Sequence, residues 1–220
     1  MKLVISKINN LLDYIETTHT EIEEMLSDET YISNSDKDED TENKIRFPMF
    51  NISFYSFIEE FKKIPTQKQF VDYYLLINKD NYNIKIYNED ERKLHFLKCR
   101  LYRTYPSLVR DIHFSLFIKE HTNETKNNFV FYDKQMDLEN GIDVGMVIKG
   151  KIYGVALFVG SERSYEFRKE KEKNRVKLFD NVNYIELPKI INHTNKKIQL
   201  YDKEDLKMLI DKINKKDFKY

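Results

Sequence analysis

An α/β (α+β) protein, helical in its first half and built around a mixed sheet in its second, is what this 220-residue sequence predicts. Three observations carry that reading. Up to Pro106 the apolar residues recur largely at helical spacing. After His121 the texture changes to short runs rich in β-branched and aromatic residues, "NNFVFYD", "GIDVGMVIKG" and "KIYGVALFVGS". All five glycines fall between Gly141 and Gly160, in and around the second and third of those runs.

Taken in order, residues 3–27 read as a helix, with Leu3, Ile8, Leu11, Leu12, Ile15, Ile22 and Met25 near a 3.6-residue period. "SNSDKDEDTENK" (33–44) is polar and aperiodic, which predicts a mobile acidic loop. It lacks the glycine and closing glutamate of an EF-hand. "ISFYSFIEEFKKI" and "TQKQFVDYYLLI" predict two helices broken at Pro65. Their apolar stripes need a partner, and the later sheet is the nearest apolar surface. "YNIKIY" alternates like a short strand, and Pro106 is placed to open a new helix over 106–121. Lys149-Gly150-Lys151 makes a tight turn, so the second and third strands form a hairpin. A charged helix, "SERSYEFRKEKEKNR", follows, then strands at 183–191 and 197–201 and a helix over 203–214. Two regions result: a mainly helical one over 1–104 and an α/β domain over 105–220.

Formal net charge is zero, so bulk electrostatics select no partner, but the charge is unevenly spread. Acids dominate from Glu21 to Glu42, with only Lys37 against them, and bases dominate from Arg163 to Arg175. A lone cysteine, Cys99, excludes an intrachain disulfide and suits a reducing cytosol; with no motif around it, a buried thiol is expected. No apolar run approaches the roughly 18 residues of a membrane span. The N-terminus lacks a secretory leader's apolar core. A cytoplasmic location is therefore expected. Walker, GxGxxG, HExxH and nucleophile-elbow motifs are missing, and the five histidines show no zinc-ligand spacing.

The order helix–β–β–β–helix–β, with the acid of "GIDVG" at the start of the second strand, resembles the restriction-endonuclease-like (PD-(D/E)XK) nuclease superfamily over about residues 105–190. The resemblance implies a mixed sheet flanked by helices and metal-dependent hydrolysis of DNA, with Asp143 holding Mg²⁺ or Mn²⁺. A carboxylate-held divalent cation both neutralises a phosphate oxyanion and generates hydroxide near neutral pH. In that family the third strand carries Glu-x-Lys or Gln-x-Lys. Here it reads "YGVALFV", with Gly154, Ala156 and Phe158 on one face and no ionisable group on either. Some members move these groups to the next helix, which assigns catalytic roles to Glu162 and Lys169 and phosphate contacts to Arg163, Arg168, Lys171 and Arg175. The family also draws an acid from its first helix toward the metal. On a wheel of residues 106–121 that acid is Glu120, with His113 beside it, while Asp111 points away.

Each assignment has a plainer counterpart. Asp143 also suits a turn at a strand start, Glu120 a surface and His113 a half-buried packing position. The bases after residue 162 interleave with Glu166, Glu170 and Glu172 and so also suit a solvated helix face. Gly145, Gly154 and Gly160 fit close approach of a sugar-phosphate backbone, or equally close packing across the sheet. The rival to a nuclease is accordingly a non-catalytic protein of the same fold that binds nucleic acid or a protein partner. The N-terminal helices offer a surface for such a partner or for a second copy of the chain.

Overall fold

The computed structural model describes residues 2–28, 31–32, 35–162, 165–166, 179–190 and 198–217. They fall into two compact units. One comprises Tyr14–Val109 with Asn195–Ile198, and the other Met1–Asp13, Arg110–Thr194 and Gln199–Tyr220. The first 13 residues thus belong with the sheet rather than with the helical region.

In the helical unit, α1 (His19–Asp28), α2 (Phe50–Phe61), α3 (Gln67–Ile77), α4 (Tyr82–Asn88) and the first two-thirds of α5 (Glu91–Glu120) follow one another. A capping box starts α3, with Thr66 accepting from the Gln69 amide and the Gln69 side chain accepting in return from the Thr66 amide. Its Phe70 meets Phe54 of α2 edge to face at 5.7 Å between ring centroids and lies tilted at 6.1 Å from Tyr105 of α5, which Phe54 also meets edge to face at 6.3 Å. Within this unit the partner of the stripes over 52–77 is therefore α5, where the sheet had been expected.

Two expectations fail here for local reasons. "YNIKIY" is helical, because the Asn81 side chain caps α4 by accepting from the Asn83 and Ile84 amides. Pro106 does not open a helix but lies inside α5. A proline there leaves the Tyr102 carbonyl, four residues earlier, without its helical donor. The buried Gln67 side chain supplies one, with Nε2 donating to Tyr102 O at 3.1 Å while Oε1 accepts from the Ile32 amide at 2.9 Å.

The second unit is organised by a four-stranded sheet of order β1-β2-β3-β4: β1 (Asn128–Phe131), β2 (Val144–Ile148), β3 (Lys151–Val159) and β4 (Val182–Lys189). The first three strands are antiparallel and β4 runs parallel to β3, so the sheet is mixed. Between β2 and β3 the turn places Lys149 and Gly150 at φ 51° and 77°, the left-handed region that glycine enters without penalty. Residues 152–157 of β3 are all buried. One face of the sheet gathers Phe131, Val147, Ile152 and Val182 with Met136 and Ile142 into a cluster that Leu3 and Ile8 cover. Behind β4 stands α6 (Lys203–Asp217), tied down where Lys189 Nζ reaches Asp202 at 2.9 Å and Asp205 at 2.5 Å.

Instead of the helix expected over 3–27, residues 5–7 and 11–14 form single 3₁₀ turns and α1 starts only at His19. Tertiary pairing overrides helical periodicity in this segment. The Leu11 amide donates to Tyr132 O at 2.8 Å, and the Asn10 side chain accepts from the Tyr132 amide at 3.0 Å. The loop expected over 33–44 is corrected over 40–44, where Asp38 caps a π-helical turn (Asp40–Lys44) through the amide and hydroxyl of the buried Thr41. No strand forms at 198–201, and residue 197 lies outside the described residues.

Packing, not a nucleic-acid backbone, accounts for Gly145. A Cβ there would stand 2.0 Å from the Phe131 ring, which is buried and cannot yield. Gly145→Ala should therefore cost about 1–3 kcal/mol or more in chemical denaturation, and Phe131→Leu in the same chain should recover part of it. Replacing Gln67 by Leu, which orphans the carbonyl opposite Pro106, should cost about 1–3 kcal/mol by the same measurement.

Candidate functional site

The short segment between β1 and β2 brings acids together. Asp133 accepts from the amides of Gln135 and Met136 at 2.9 and 3.0 Å and so starts a π-helical turn, Met136–Asn140. Gly141, at φ 61°, ends that turn, and Met136 and Ile142 both insert into the core cluster. Anchored on either side, the turn presents Asp137 to Asp143, near enough for its charge to act on the Asp143 carboxyl. Asp143 is also fixed to the central strand. Its amide donates to Val155 O at 2.9 Å, and its Oδ2 accepts from the Leu157 amide at 2.6 Å.

Electrostatics at this point are one-sided. Burial pushes the Asp143 carboxyl well above the ordinary range, the nearby negative charges of Asp111 and Asp137 push it further, and the Leu157 amide opposes them. Asp143 is only 9% exposed. Tyr201, fully buried with its hydroxyl donating to Leu187 O at 3.1 Å, feels the same surroundings. Its phenol is pushed up by burial, then by the charges of Asp111 and Asp143, against the pull of Arg110. Arg110 is itself buried, its Nε donating to Gln199 O at 2.8 Å.

Asp111, Asp137 and Asp143, with Arg110 and Tyr201 beside them, are the constellation the fold assembles. A proton shared between carboxyl groups relieves their repulsion, and a divalent cation would relieve it equally well. Three hard oxygen donors suit Mg²⁺ or Mn²⁺ rather than a thiophilic metal.

Of the residues singled out from sequence, Asp143 lies at the centre of this constellation. Asp111, expected to point away, is the α5 acid whose charge acts on it. Glu120 is exposed at the last residue of α5, nine residues and so about 13 Å along the helix from Asp111. His113 is fully buried and stacks on Phe117. Glu162 is exposed just beyond β3. Arg163, Arg168, Lys169, Lys171 and Arg175 lie outside the described residues. Asp137 was not anticipated. Its signal is the spacing Asp137-x5-Asp143 across a glycine, which becomes legible only once the turn is known to fold back on β2.

The direction of the Asp143 shift makes a testable statement about pH. A carboxyl whose folded value is raised favours folding while protonated. That advantage is present at low pH and is lost as the pH rises through the raised value. Asn mimics the protonated carboxyl and keeps an acceptor for the Leu157 amide. Asp143→Asn should therefore raise Tm over the wild type at about pH 8, and the gap should close toward about pH 4. An equal gap at every pH would show that ionisation of Asp143 is not what costs stability.

Set against models of known protein families, curated protein sequences and solved structures, the chain matches none.

Proposed function

We propose that this protein hydrolyses phosphodiester bonds in DNA with a divalent cation, as a divergent restriction-endonuclease-like (PD-(D/E)XK) nuclease. The observation that carries the reading is the carboxylate cluster of Asp143 with Asp111 and Asp137 at the start of β2. The strand order supports it: an antiparallel β1-β2-β3 followed by a parallel β4, with the acid at the head of the second strand. Asp143 and Asp137 would hold Mg²⁺ or Mn²⁺, with Asp111 completing the negative field. Such an ion, when bound, supplies charge neutralisation at phosphate and an acidified water. Asp143 is held in orientation by the Leu157 amide, and Asp137 is held by its turn. The proposed phosphate contacts remain Arg163, Arg168, Lys171 and Arg175, with Glu162 and Lys169 as catalytic groups; Glu120 is too far along α5 from Asp111 to join the same ion.

One observation favours the non-catalytic reading. The stretch of β3 that faces Asp143 carries no charged side chain, and Asp143 is almost closed to solvent. On that reading the fold binds nucleic acid or a protein partner without cutting. No helix among the described residues is long and apolar enough to cross a membrane.

Nicking of supercoiled plasmid DNA decides between them. With Mg²⁺ or Mn²⁺ the wild type should nick, and Asp143→Asn should lose at least about a hundredfold in rate while staying folded. Absence of nicking by the wild type, or equal nicking by the variant, would overturn the enzyme reading. If the bases after residue 162 meet phosphates, DNA affinity should fall steeply with salt, and replacing Arg168 and Lys169 by alanine should flatten that slope.

A further inference from the structure

A second constellation lies in the helical unit. His95 and Cys99 stand one helical turn apart on α5 and so share a face. Asp36, from the segment before α2, meets them there. Asp36 Oδ2 lies 2.9 Å from His95 Nε2, and Cys99 Sγ lies 3.5 Å from the same nitrogen. All three donor atoms fall within 4.8 Å of one another.

A relay of the Cys–His–Asp kind is excluded by this geometry. Such a relay needs the acid on one ring nitrogen and the thiol on the other, so that the imidazole can be oriented and still take a proton. Here both partners face Nε2, which carries one proton or one lone pair and cannot serve both. One cation in front of Nε2 can serve all three donors. We propose that Asp36, His95 and Cys99 form a metal site of the zinc class, with a fourth position left to water.

Distances and ligand chemistry agree with that occupant. Zinc bonds of about 2.0–2.3 Å to N, O and S imply separations of about 3.3–3.6 Å between tetrahedral ligands. The sulfur–nitrogen distance already fits, and the oxygen has to withdraw by only a few tenths of an ångström. A thiolate, an imidazole and a carboxylate favour Zn²⁺ over Mg²⁺ or Ca²⁺.

The ligands are also held in place from behind. Arg103 donates to the Asp36 carbonyl at 2.6 Å and pairs with Glu42, while Arg100 donates to the Thr41 carbonyl. The Thr41 hydroxyl in turn meets the Tyr87 hydroxyl at 3.0 Å. These bonds fasten residues 36–44 along α5 independently of any ion, so the site is assembled before binding. Burial pushes the Cys99 thiol up, and metal binding would release its proton to solvent. The sequence carried half of the signal, a His-x3-Cys pair on one helix face. The third ligand, 59 residues before His95, became visible only in the fold.

Cobalt titration of the chelator-stripped full-length chain tests the proposal, because Cys99 is the only thiol in the protein. One equivalent of Co²⁺ should give a thiolate-to-cobalt charge-transfer band that Zn²⁺ abolishes. His95 is half-exposed, so His95→Ala should fold and should weaken cobalt binding by about tenfold or more. Cys99→Ser should remove the band, and Asp143→Asn, in the other unit, should leave it unchanged. No band in the wild type, or an undiminished affinity in His95→Ala, would overturn the site whatever the outcome of the nicking assay.

Discussion

Strand β3 is paired along both edges and buried on both faces, and the unit that holds Asp143 is arranged to satisfy it. Its backbone groups take β2 on one side and β4 on the other. At its far end β3 runs past Val144, the first residue of β2, so that no β2 residue stands opposite Leu157. Asp143 fills that gap with a carboxylate oxygen at 2.6 Å. A buried amide left unsatisfied costs about 1–3 kcal/mol, which is enough to hold an acid in a place that burial disfavours. The same bond thus finishes the sheet and installs the charge on which the proposed chemistry rests.

That charge is installed against resistance, and the resistance is informative. Asp111 comes from α5 and Asp137 from a π-helical turn, and the charges of both act on Asp143. The charges of Asp111 and Asp137 raise the proton affinity of the buried Asp143, an arrangement that a purely structural turn has no reason to accumulate. The constellation in the helical unit differs in kind. There Glu42 meets Arg100 and Arg103, and Glu39 and Asp40 meet Lys44. What that region converges on is a single imidazole nitrogen. Soft and hard donor sets thus occupy separate units, and as the proposed sites they would select different metals by ligand type rather than by affinity alone.

Reading the sequence located most elements and misplaced a few, each for a physical reason. The three strands between Asn128 and Val159 were legible because β-branched runs bounded by glycine and asparagine have few alternatives. The helix expected over 3–27 was not found as such, because Asn10 and Leu11 pair with Tyr132 across more than 120 residues, a contact that no local period encodes. Pro106 looked like a helix start because the donor that rescues its orphaned carbonyl, Gln67, lies on another helix. Gly145 was open to two explanations until Phe131 was seen lying over it.

By itself the sequence determined the α/β character, the hairpin with its tight turn, the helices over 52–77 and Asp143 as the acid at the head of the second strand. These follow from period, turn chemistry and capping, which act over a few residues and are written where they act. Tertiary structure alone decided which acids join Asp143, replacing an expected Glu120 with Asp111 and adding Asp137. It also decided that Asp36 meets His95 and Cys99. Sites of this kind depend on where distant segments come to rest, and that is set by burial and long-range hydrogen bonds rather than by neighbours in the chain.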